Sequence, residues 1–394
     1  MENKLPPNWK LKKIKDVCKV VSGATPKTSK PEYWGGDILW ITPKDLSKFK
    51  GTIISDTQRR ITKEGYDSCS ATLVPKGTVL MSSRAPIGYL AIAGKEICTN
   101  QGFKSFICSD EINNKFLYYY LKGIVPELEQ KGSGTTFNEL SKTKAEEIEI
   151  PIPPLSVQEA LVKKLDAFFK EYDILSEEKQ KAKENHEKIL QSAVMKVFFP
   201  EKFDDGWKLL NLDEVADIVM GQSPPSSSYN LNKDGLPFFQ GKKEFGDMYP
   251  AVIKYCSEPK KTAEKNDTLL SVRAPVGPVN MAKEKSCIGR GLAAIRSKGD
   301  LNSEFIYYFM KGNEYNIARS GRGSTFDAIS GKDIKKIKIP VPPNKEIQKE
   351  ILTKLRLIMN FQESILDERK TVNKNIESLP HSVLTKAFQG ELLA

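Results

Sequence analysis

The chain has 394 residues, 39% of them hydrophobic and 28% charged, and carries a formal net charge of +11. This composition is typical of a folded protein with two or three domains rather than of a disordered chain. The sequence contains no run of about 18 apolar residues and no recognisable signal peptide, so we expect a cytoplasmic protein without a membrane span. Six cysteines without a CxxC pair and only two histidines argue against a disulfide framework and a zinc site.

The positive charge is concentrated in two separate stretches. Residues 1–155 contain 23 basic and 17 acidic residues, and residues 200–344 contain 22 and 18, whereas residues 156–199 contain 8 of each. Two basic regions separated by a neutral one favour a polyanionic partner, such as a nucleic acid, that is contacted at two places.

Landmarks of the first part of the chain recur in the second, which indicates a tandem duplication. The matching segments are Trp9–Leu11 and Trp207–Leu209, Arg84–Gly88 and Arg273–Gly277, Phe116–Gly123 and Phe305–Gly312, and Gly132–Phe137 and Gly321–Phe326. Apolar runs such as Thr78–Met81 and Phe103–Cys108 predict strands. The aromatic runs predict a helix that Gly123 or Gly312 closes at its C-terminal cap. Each globular part is therefore predicted to be mixed α and β.

Two stretches inside these matching parts, residues 27–69 and 226–264, share no pattern that aligns, so we expect them to determine what each copy recognises. Both contain basic side chains, which neutralise phosphates, and arginine or glutamine, which can hydrogen-bond to base edges. The candidate DNA contacts in these stretches are Lys27, Lys30, Lys44, Lys48, Arg59, Arg60, Gln240, Lys242, Lys243, Lys260 and Lys261. The alternative for each lysine is an ordinary solvated position, and most aromatic residues here are expected in the core.

The glycine-rich segments Gly132–Phe137 and Gly321–Phe326 could cradle a phosphate with backbone N–H groups and hydroxyls. The candidates there are Ser133, Thr135, Arg322 and Ser324. Neither segment fits a nucleotide-binding loop, and a tight turn between a strand and a helix is the alternative. Arg84 and Arg273, which end apolar strands, are favoured as structural residues over base contacts.

Two long helices are predicted, because apolar residues recur in two stretches at alternating steps of four and three. The predicted seam consists of Leu161, Leu165, Phe168, Tyr172, Leu175 and Ile189 in the first stretch, and Ile351, Leu355, Ile358, Ile365, Val372, Ile376 and Leu379 in the second. Prolines precede both stretches, Ser156 with Glu159 predicts a capping box, and Asn344 suits the cap of the second helix. Pairs of shorter bundle helices are the alternative, but the repeated register favours two long helices.

The predicted fold class is α+β, with two similar mixed α/β globular domains alternating with two long helices that pair as an antiparallel coiled coil about a pseudo-two-fold axis. The predicted domains are residues 1–155 and 200–343, and the predicted helices are residues 156–199 and 344–394. A helix of about 43 residues is about 65 Å long, so we expect these helices to act as spacers as well as core.

The sequence offers no persuasive catalytic or metal site. It contains neither the motif of an amino-methyltransferase nor an ATP-binding loop, and no cluster of carboxylates suits a metal ion. The two histidines lie far along the chain from any serine or cysteine elbow. We therefore predict a protein without catalytic activity.

Together these features resemble the specificity subunit of type I restriction-modification systems. The resemblance covers nearly the whole chain and depends on the order of the variable and repeated parts, the Arg84–Gly88 and Gly132–Phe137 elements with their second copies, and the ending Ala387–Leu393. It implies two target recognition domains, each reading one half of an interrupted, asymmetric double-stranded DNA site. One departure is that the first helix ends in Lys196–Pro200 where the second has Lys386–Gly390.

The resemblance also implies partner proteins. These are two methyltransferase (M) subunits, which bind S-adenosylmethionine, and motor-nuclease (R) subunits, which use ATP and Mg; this chain itself is expected to hold no cofactor. Two other functions stay open on the residues alone. One is a coiled-coil adaptor that binds proteins rather than DNA, and the other is a nuclease with an unrecognised site.

Overall fold

The computed structural model describes residues 5–84, 86–131, 139–199, 206–320 and 328–393. The chain divides into two compact units, one formed by residues 1–177 with 372–394 and the other by residues 178–371. In each unit we call the globular part that precedes a long helix a head: residues 5–154 are the first head and residues 206–344 the second. Within the described residues, no helix is both long and apolar enough to cross a membrane.

The first head is built on three sheets. Its strands are β1 (Lys10–Lys13), β2 (Cys18–Ser22), β3 (Trp34–Ile41), β4 (Ile53–Ile54), β5 (Arg59–Ile61), β6 (Val79–Ser83), β7 (Ile87–Ala93), β8 (Cys98–Thr99), β9 (Phe103–Cys108) and β10 (Glu149–Ile152). Its helices are α1 (Ile14–Val17), α2 (Pro43–Leu46), α3 (Lys63–Asp67), α4 (Asn114–Gly123), α5 (Val125–Lys131) and α6 (Lys142–Glu146), and the long helix α7 (Leu155–Phe198) follows. The sheet orders are β2-β9-β6-β7-β4, β5-β3-β8 and β1-β10.

The second head repeats this plan. Its strands are β11 (Lys208–Asn211), β12 (Ala216–Met220), β13 (Tyr229–Asn230), β14 (Leu236–Phe239), β15 (Tyr255–Cys256), β16 (Thr262–Ala263), β17 (Thr268–Ser271), β18 (Val279–Met281), β19 (Ser286–Ile288), β20 (Leu292–Ser297) and β21 (Lys338–Val341). Its helices are α8 (Leu212–Val215), α9 (Ser303–Gly312), α10 (Glu314–Ser320) and α11 (Gly331–Lys335), before the long helix α12 (Lys345–Phe388). The sheet orders are β12-β20-β17-β18, β13-β15-β14-β19-β16 and β11-β21.

Both long helices contribute to the core of each unit. In the first unit Leu161 and Leu165 from the start of α7 share a buried cluster with Leu384 and Ala387 from the end of α12. The second unit has the converse arrangement, in which Val194 and Phe198 of α7 share a cluster with Ile351, Leu352 and Leu355 of α12. Opposite ends therefore meet in each core, so the two helices run antiparallel there. The predicted α+β class with two similar heads and two long helices is confirmed.

The starts of the long helices differ slightly from the prediction. Helix α7 begins at Leu155, and the Pro154 carbonyl accepts the first bonds from Val157 and Gln158, so Ser156 lies inside the first turn rather than at the cap. Asn344 does cap α12, because its Oδ1 accepts from the Ile347 amide at 2.9 Å. Helix α12 continues through Pro380, although proline removes one donor from the helical ladder.

Burial along the predicted seam decreases from the start of each long helix toward its second half. Leu161, Leu165, Ile351 and Leu355 are buried; Phe168, Tyr172, Ile358, Ile365 and Ile376 are half-buried; Leu175, Ile189, Val372 and Leu379 are exposed. Ile189 is 68% exposed, whereas its neighbour Leu190 packs against the core of the second unit. A straight helix drifts by about 20° per heptad from a strict 3.5-residue repeat, so a fixed heptad pattern rotates away from the core.

The glycines that end α4 and α9 have a different role from the predicted one. Gly123 and Gly312 are the last helical residues, and neither has the positive φ of a left-handed cap. A Cβ on Gly123 would lie 3.3 Å from Leu384 Cβ, and one on Gly312 would lie 2.7 Å from Val194 Cγ1. The predicted C-cap is therefore wrong, since neither glycine has the backbone conformation of a cap. These glycines instead allow a long helix to pack closely against the head.

A buried glutamine in the first turns of each long helix anchors the head of the same unit. Gln158 is fully buried; its Oε1 accepts from the Asn113 amide at 2.8 Å, and its Nε2 donates to the carbonyls of Glu111 and Pro153. Gln348 repeats the contact, because its Oε1 accepts from the Asn302 amide at 2.7 Å. Since Asn113 and Asn302 cap α4 and α9, each glutamine joins a long helix to the start of a helix in its head.

Candidate nucleic-acid interface

The structure aligns the two variable stretches that the sequence left unaligned. Strand β3 pairs in parallel with β8, which sets Trp40 beside Cys98, and β14 pairs in parallel with β19, which sets Phe238 beside Cys287. Cys98 and Cys287 are separated by the same 189 positions as Arg84 and Arg273. Trp40 and Phe238 therefore occupy equivalent places in the two heads.

In the first head a guanidinium group lies over two indole rings. Arg59 lies opposite Trp40 across the β3–β5 pair, and its Cζ is 4.6 Å from the Trp40 ring centroid and 5.5 Å from that of Trp34. The two rings meet edge to face at 5.0 Å, and the Trp40 indole N–H donates to the Ala24 carbonyl at 3.0 Å. Because Trp40 is buried and hydrogen-bonded, it forms a fixed platform for an exposed arginine.

The second head has a lysine on the equivalent platform. The Phe238 amide donates to the Lys254 carbonyl, and Lys254 Nζ is 5.4 Å from the ring centroids of both Phe238 and Tyr229. Those rings are 4.6 Å apart, and Phe238 is fully buried. Lys254 Nζ also donates to Gln240 Oε1 at 2.9 Å. Tyr229 and Trp34 both directly follow a short 3₁₀ turn, so each head carries two aromatic rings and one cation at corresponding places, although the two rings meet at 85° in the first head and at 35° in the second.

The backbone beyond each platform strand is also fixed in a similar way. After β14, the buried Glu244 carboxylate accepts from the amides of Gln240 and Gly241 at 3.2 and 3.0 Å. After β3, the Asp45 carboxylate accepts from the Thr42 amide at 2.8 Å. A carboxylate that satisfies otherwise free amides holds the chain rigid next to each platform.

The other predicted contacts are exposed or already paired. Lys27, Lys44, Lys48, Lys242, Lys243, Lys260 and Lys261 are exposed. Arg60 donates to Asp56 at 2.9 Å, and Lys30 lies over the Tyr33 ring and 3.7 Å from Glu32. Ser133, Thr135, Arg322 and Ser324 lie outside the described residues. Of the candidates, the structure brings together Gln240 with the platform of the second head and places Arg59 on that of the first.

One charged cluster that the sequence reading missed lies in the first head. Lys104 is 4% exposed, donates to Ser83 Oγ at 3.2 Å and lies 3.8 Å from Glu139, which is also 4.0 Å from Arg84. Burial lowers the pKa of Lys104, and Glu139 partly offsets this effect. The second copy has Val272, Ala293 and Ala328 at the matching positions. The only signal was a lysine inside the apolar strand Phe103–Cys108.

In the described part of the chain, no group of three or more His, Cys, Asp or Glu side chains could hold a metal ion. The arrangement in both heads suits recognition. Stacked cations and oriented amides can contact phosphates or base edges without moving a proton.

Comparison with known proteins agrees with this view. The family model of the type I restriction modification DNA specificity domain matches twice, at residues 6–184 and 204–374. The chain is 32% identical over 412 residues to a putative type I restriction enzyme MjaX specificity subunit of Methanocaldococcus jannaschii, covering 97% of this chain and 94% of that protein. It is 31% identical to the MjaIX specificity subunit of the same organism, covering 99% and 94%.

A solved structure has the same fold. It belongs to work on complex assembly and conformational transition of the type I R-M system, and one of its chains superposes on this one with a TM-score of 0.74 at 30% identity, covering 99% of this chain and all of that one.

Proposed function

Because the chain belongs to the type I restriction-modification DNA specificity family, we propose that it recognises an asymmetric DNA site in two parts, with one head for each part. As a specificity subunit it recognises DNA sequence and is not itself catalytic. The two family matches each contain one head and the greater part of the long helix that follows it. A family unit present twice in one chain supports two separate DNA contacts.

The observation that carries this proposal is the recurrence of the aromatic platform. Both heads hold a cation over two rings at equivalent positions, although the surrounding sequences do not align. The residues on and beside the platform differ, since one head has Arg59 and the other Lys254 with Gln240. Equivalent positions with different chemistry are suited to two half-sites of different sequence.

The long helices would set the distance between the half-sites and carry the partner subunits. Each helix has 44 residues and contributes to the cores of both units. A continuous helix transmits position along its axis at 1.5 Å per residue. We extend the proposal to a cytoplasmic complex with two M subunits and with R subunits, in which S-adenosylmethionine, ATP and Mg would be bound by those partners.

A salt titration separates this function from that of a protein-binding adaptor. The full chain is mixed with a fluorescent duplex of random sequence, and affinity is measured by anisotropy from 50 to 400 mM NaCl. Lysines that neutralise phosphates release counterions, so log affinity should fall linearly with log salt concentration, with a slope of about −0.9 for each phosphate contacted. An adaptor would show no binding or a flat response. Cleavage of the duplex by the chain with Mg alone would instead support a nuclease.

A selection experiment tests the two-part site. The full chain is used to enrich duplexes from a pool with a random central region, and the enriched sequences are aligned. We expect two specified blocks of different sequence separated by an unspecified gap of fixed length. One continuous block, or two identical blocks, would contradict one head for each half-site.

A further inference from the structure

We infer that the two platforms place different base readers at the same position of each head: Arg59 reads a guanine in one half-site, and Gln240, held by Lys254, reads an adenine in the other. This inference rests on the proposed function and adds the chemistry of one base in each half-site. Trp40 and Phe238 are equivalent through the pairing of their strands, although the sequences around them do not align.

Arg59 and Lys254 occupy matching positions beside the two platforms, Arg59 at the start of β5 and Lys254 directly before β15. Arg59 lies opposite Trp40 in the antiparallel pair of β3 with β5. In the second head Pro237 lies opposite Tyr255, which brings Phe238 opposite Lys254, the residue whose carbonyl accepts from the Phe238 amide. Arg59 and Lys254 therefore correspond in the fold, and the difference between them is chemical rather than positional.

The Arg59 guanidinium is available to donate hydrogen bonds to two acceptor atoms on the edge of a base. It is exposed, its guanidinium lies over Trp40 and Trp34, and no ion pair joins it to a carboxylate in the described part of the chain. Its neighbour Arg60 is different, because it is bound to Asp56. A guanidinium presents two parallel N–H groups that match O6 and N7 of guanine in the major groove. Stacking on fixed rings reduces the entropy lost when those bonds form.

Gln240 has a defined amide orientation. Lysine can only donate, so the amide atom that faces Lys254 Nζ at 2.9 Å must be the oxygen, and the NH₂ group points away from it. The backbone of Gln240 is fixed as well, because its amide donates to the buried Glu244. A glutamine with free NH₂ donors and a second lone pair on its oxygen can bond to N7 and N6 of adenine. Lys254 is thus a positioning residue, and Gln240 is the specificity residue.

The test uses the random-duplex selection with the full chain and with variants that keep charge or shape. Arg59→Met keeps the approximate length of the side chain but removes all of its N–H donors, so we expect the guanine preference to disappear at one position while the rest of both blocks persists. Gln240→Glu keeps a partner for Lys254 but loses the NH₂ donors. Because a carboxylate accepts from N4 of cytosine, we expect adenine to be replaced by cytosine at one position of the other block.

Two matched controls accompany these variants. Arg356→Met makes the same exchange at an arginine of α12 that already has a carboxylate partner, Glu304, and Asn360→Asp adds the same charge as Gln240→Glu on the exposed surface of α12. Both should select the wild-type site. Thermal unfolding of every variant should give the wild-type Tm within about 2 °C, which shows that the platform is intact.

The outcomes separate this inference from the function on which it rests. If the wild-type chain enriches a two-part site but Arg59→Met and Gln240→Glu select the same bases as wild type, the assignment of the two readers is wrong and the proposed function stands. A wild-type site without guanine in one block and adenine in the other also overturns the assignment. If the wild-type chain enriches no sequence at all, the proposed function itself fails.

Discussion

At the scale of single residues, Gln158 connects a long helix to its head. Its side chain is fully buried and makes three hydrogen bonds, two with Glu111 and Asn113 at the start of α4 and the third with Pro153 just before α7. Replacing Gln158 by Leu keeps the approximate volume but leaves the Asn113 amide and two carbonyls without partners. Each unsatisfied buried group costs about 1 to 3 kcal/mol, so we expect the first unit to lose about 2 to 5 kcal/mol of unfolding free energy.

Denaturant unfolding of the full chain would measure this loss. The exposed Gln180 on the same helix provides the control, because its amide donates to Glu184 one turn away on the helix surface, and Gln180→Leu should change stability by less than about 0.5 kcal/mol. Equal effects at the two positions would show that the bonds of Gln158 do not hold the head on its helix.

Replacing the buried Lys104 is expected to increase stability, whereas replacing Gln158 is expected to decrease it. Burial lowers the pKa of Lys104, which means that the folded state destabilises the charged ammonium. Lys104→Met removes that cost, so we expect the variant to be more stable than wild type at pH 7. The unfolded chain binds the proton more tightly, so wild-type stability should rise as pH rises through the lowered pKa, and the advantage of the variant should shrink.

Urea unfolding of both proteins at pH 7 and pH 10 checks the sign, because the other titrating groups are common to the two chains. The exposed Lys19 on β2 gives the control, and Lys19→Met should change stability at pH 7 by less than about 0.5 kcal/mol. A variant that is less stable than wild type at pH 7 would mean that the bonds to Ser83 and Glu139 outweigh the burial cost.

At the scale of elements, Gly123 at the end of α4 and Gly312 at the end of α9 determine how closely a long helix packs against each head. Alanine is favoured over glycine in helices by up to about 1 kcal/mol. At Gly312, however, a Cβ would lie 2.7 Å from Val194 Cγ1 and 3.1 Å from Met195 Sδ, whereas at Gly123 the nearest atom is at 3.3 Å. We expect Gly312→Ala to destabilise the second unit by about 1 to 3 kcal/mol and Gly123→Ala to have a smaller effect on the first.

Thermal unfolding compares the two variants directly. Gly241→Ala serves as the control, since no atom lies within 4 Å of its built Cβ and its backbone is extended. If Gly312→Ala raised the Tm, helix propensity would outweigh close packing at this position.

Elements with strong local signals were predictable from the sequence. The aromatic runs gave α4 and α9, and the apolar runs gave β6, β9 and their second copies. The platforms were not predictable, because Trp40 and Phe238 correspond through strand pairing and not through residue identity. The contact between α4 and α7 is similar: Lys115 pairs with Asp166 in one copy, and Glu304 pairs with Arg356 in the other, so the charges are exchanged while the contact persists. The candidates in residues 132–138 and 321–327 stay predictions.

At the scale of the whole molecule, the property to test is whether the long helices set the distance between half-sites. Both α7 and α12 have 44 residues, and each contributes to two cores near its ends. Their middle segments, residues 177–186 and 367–376, contain few buried side chains. Changing the length of these segments should leave both heads folded but alter the length of each helix between the two cores.

Removing seven residues from each middle segment shortens each helix by about 10 Å and turns it by about 20° relative to a perfect heptad repeat. Since B-DNA advances about 3.4 Å per base pair, we expect the gap between the two specified blocks to shrink by about three base pairs, with both blocks unchanged. The random-duplex selection reads the gap directly. Removing the segment from α7 alone is the control, because unequal helices cannot keep both cores paired, so affinity should fall without a new gap. An unchanged gap after the paired deletion would show that the helices do not measure the DNA.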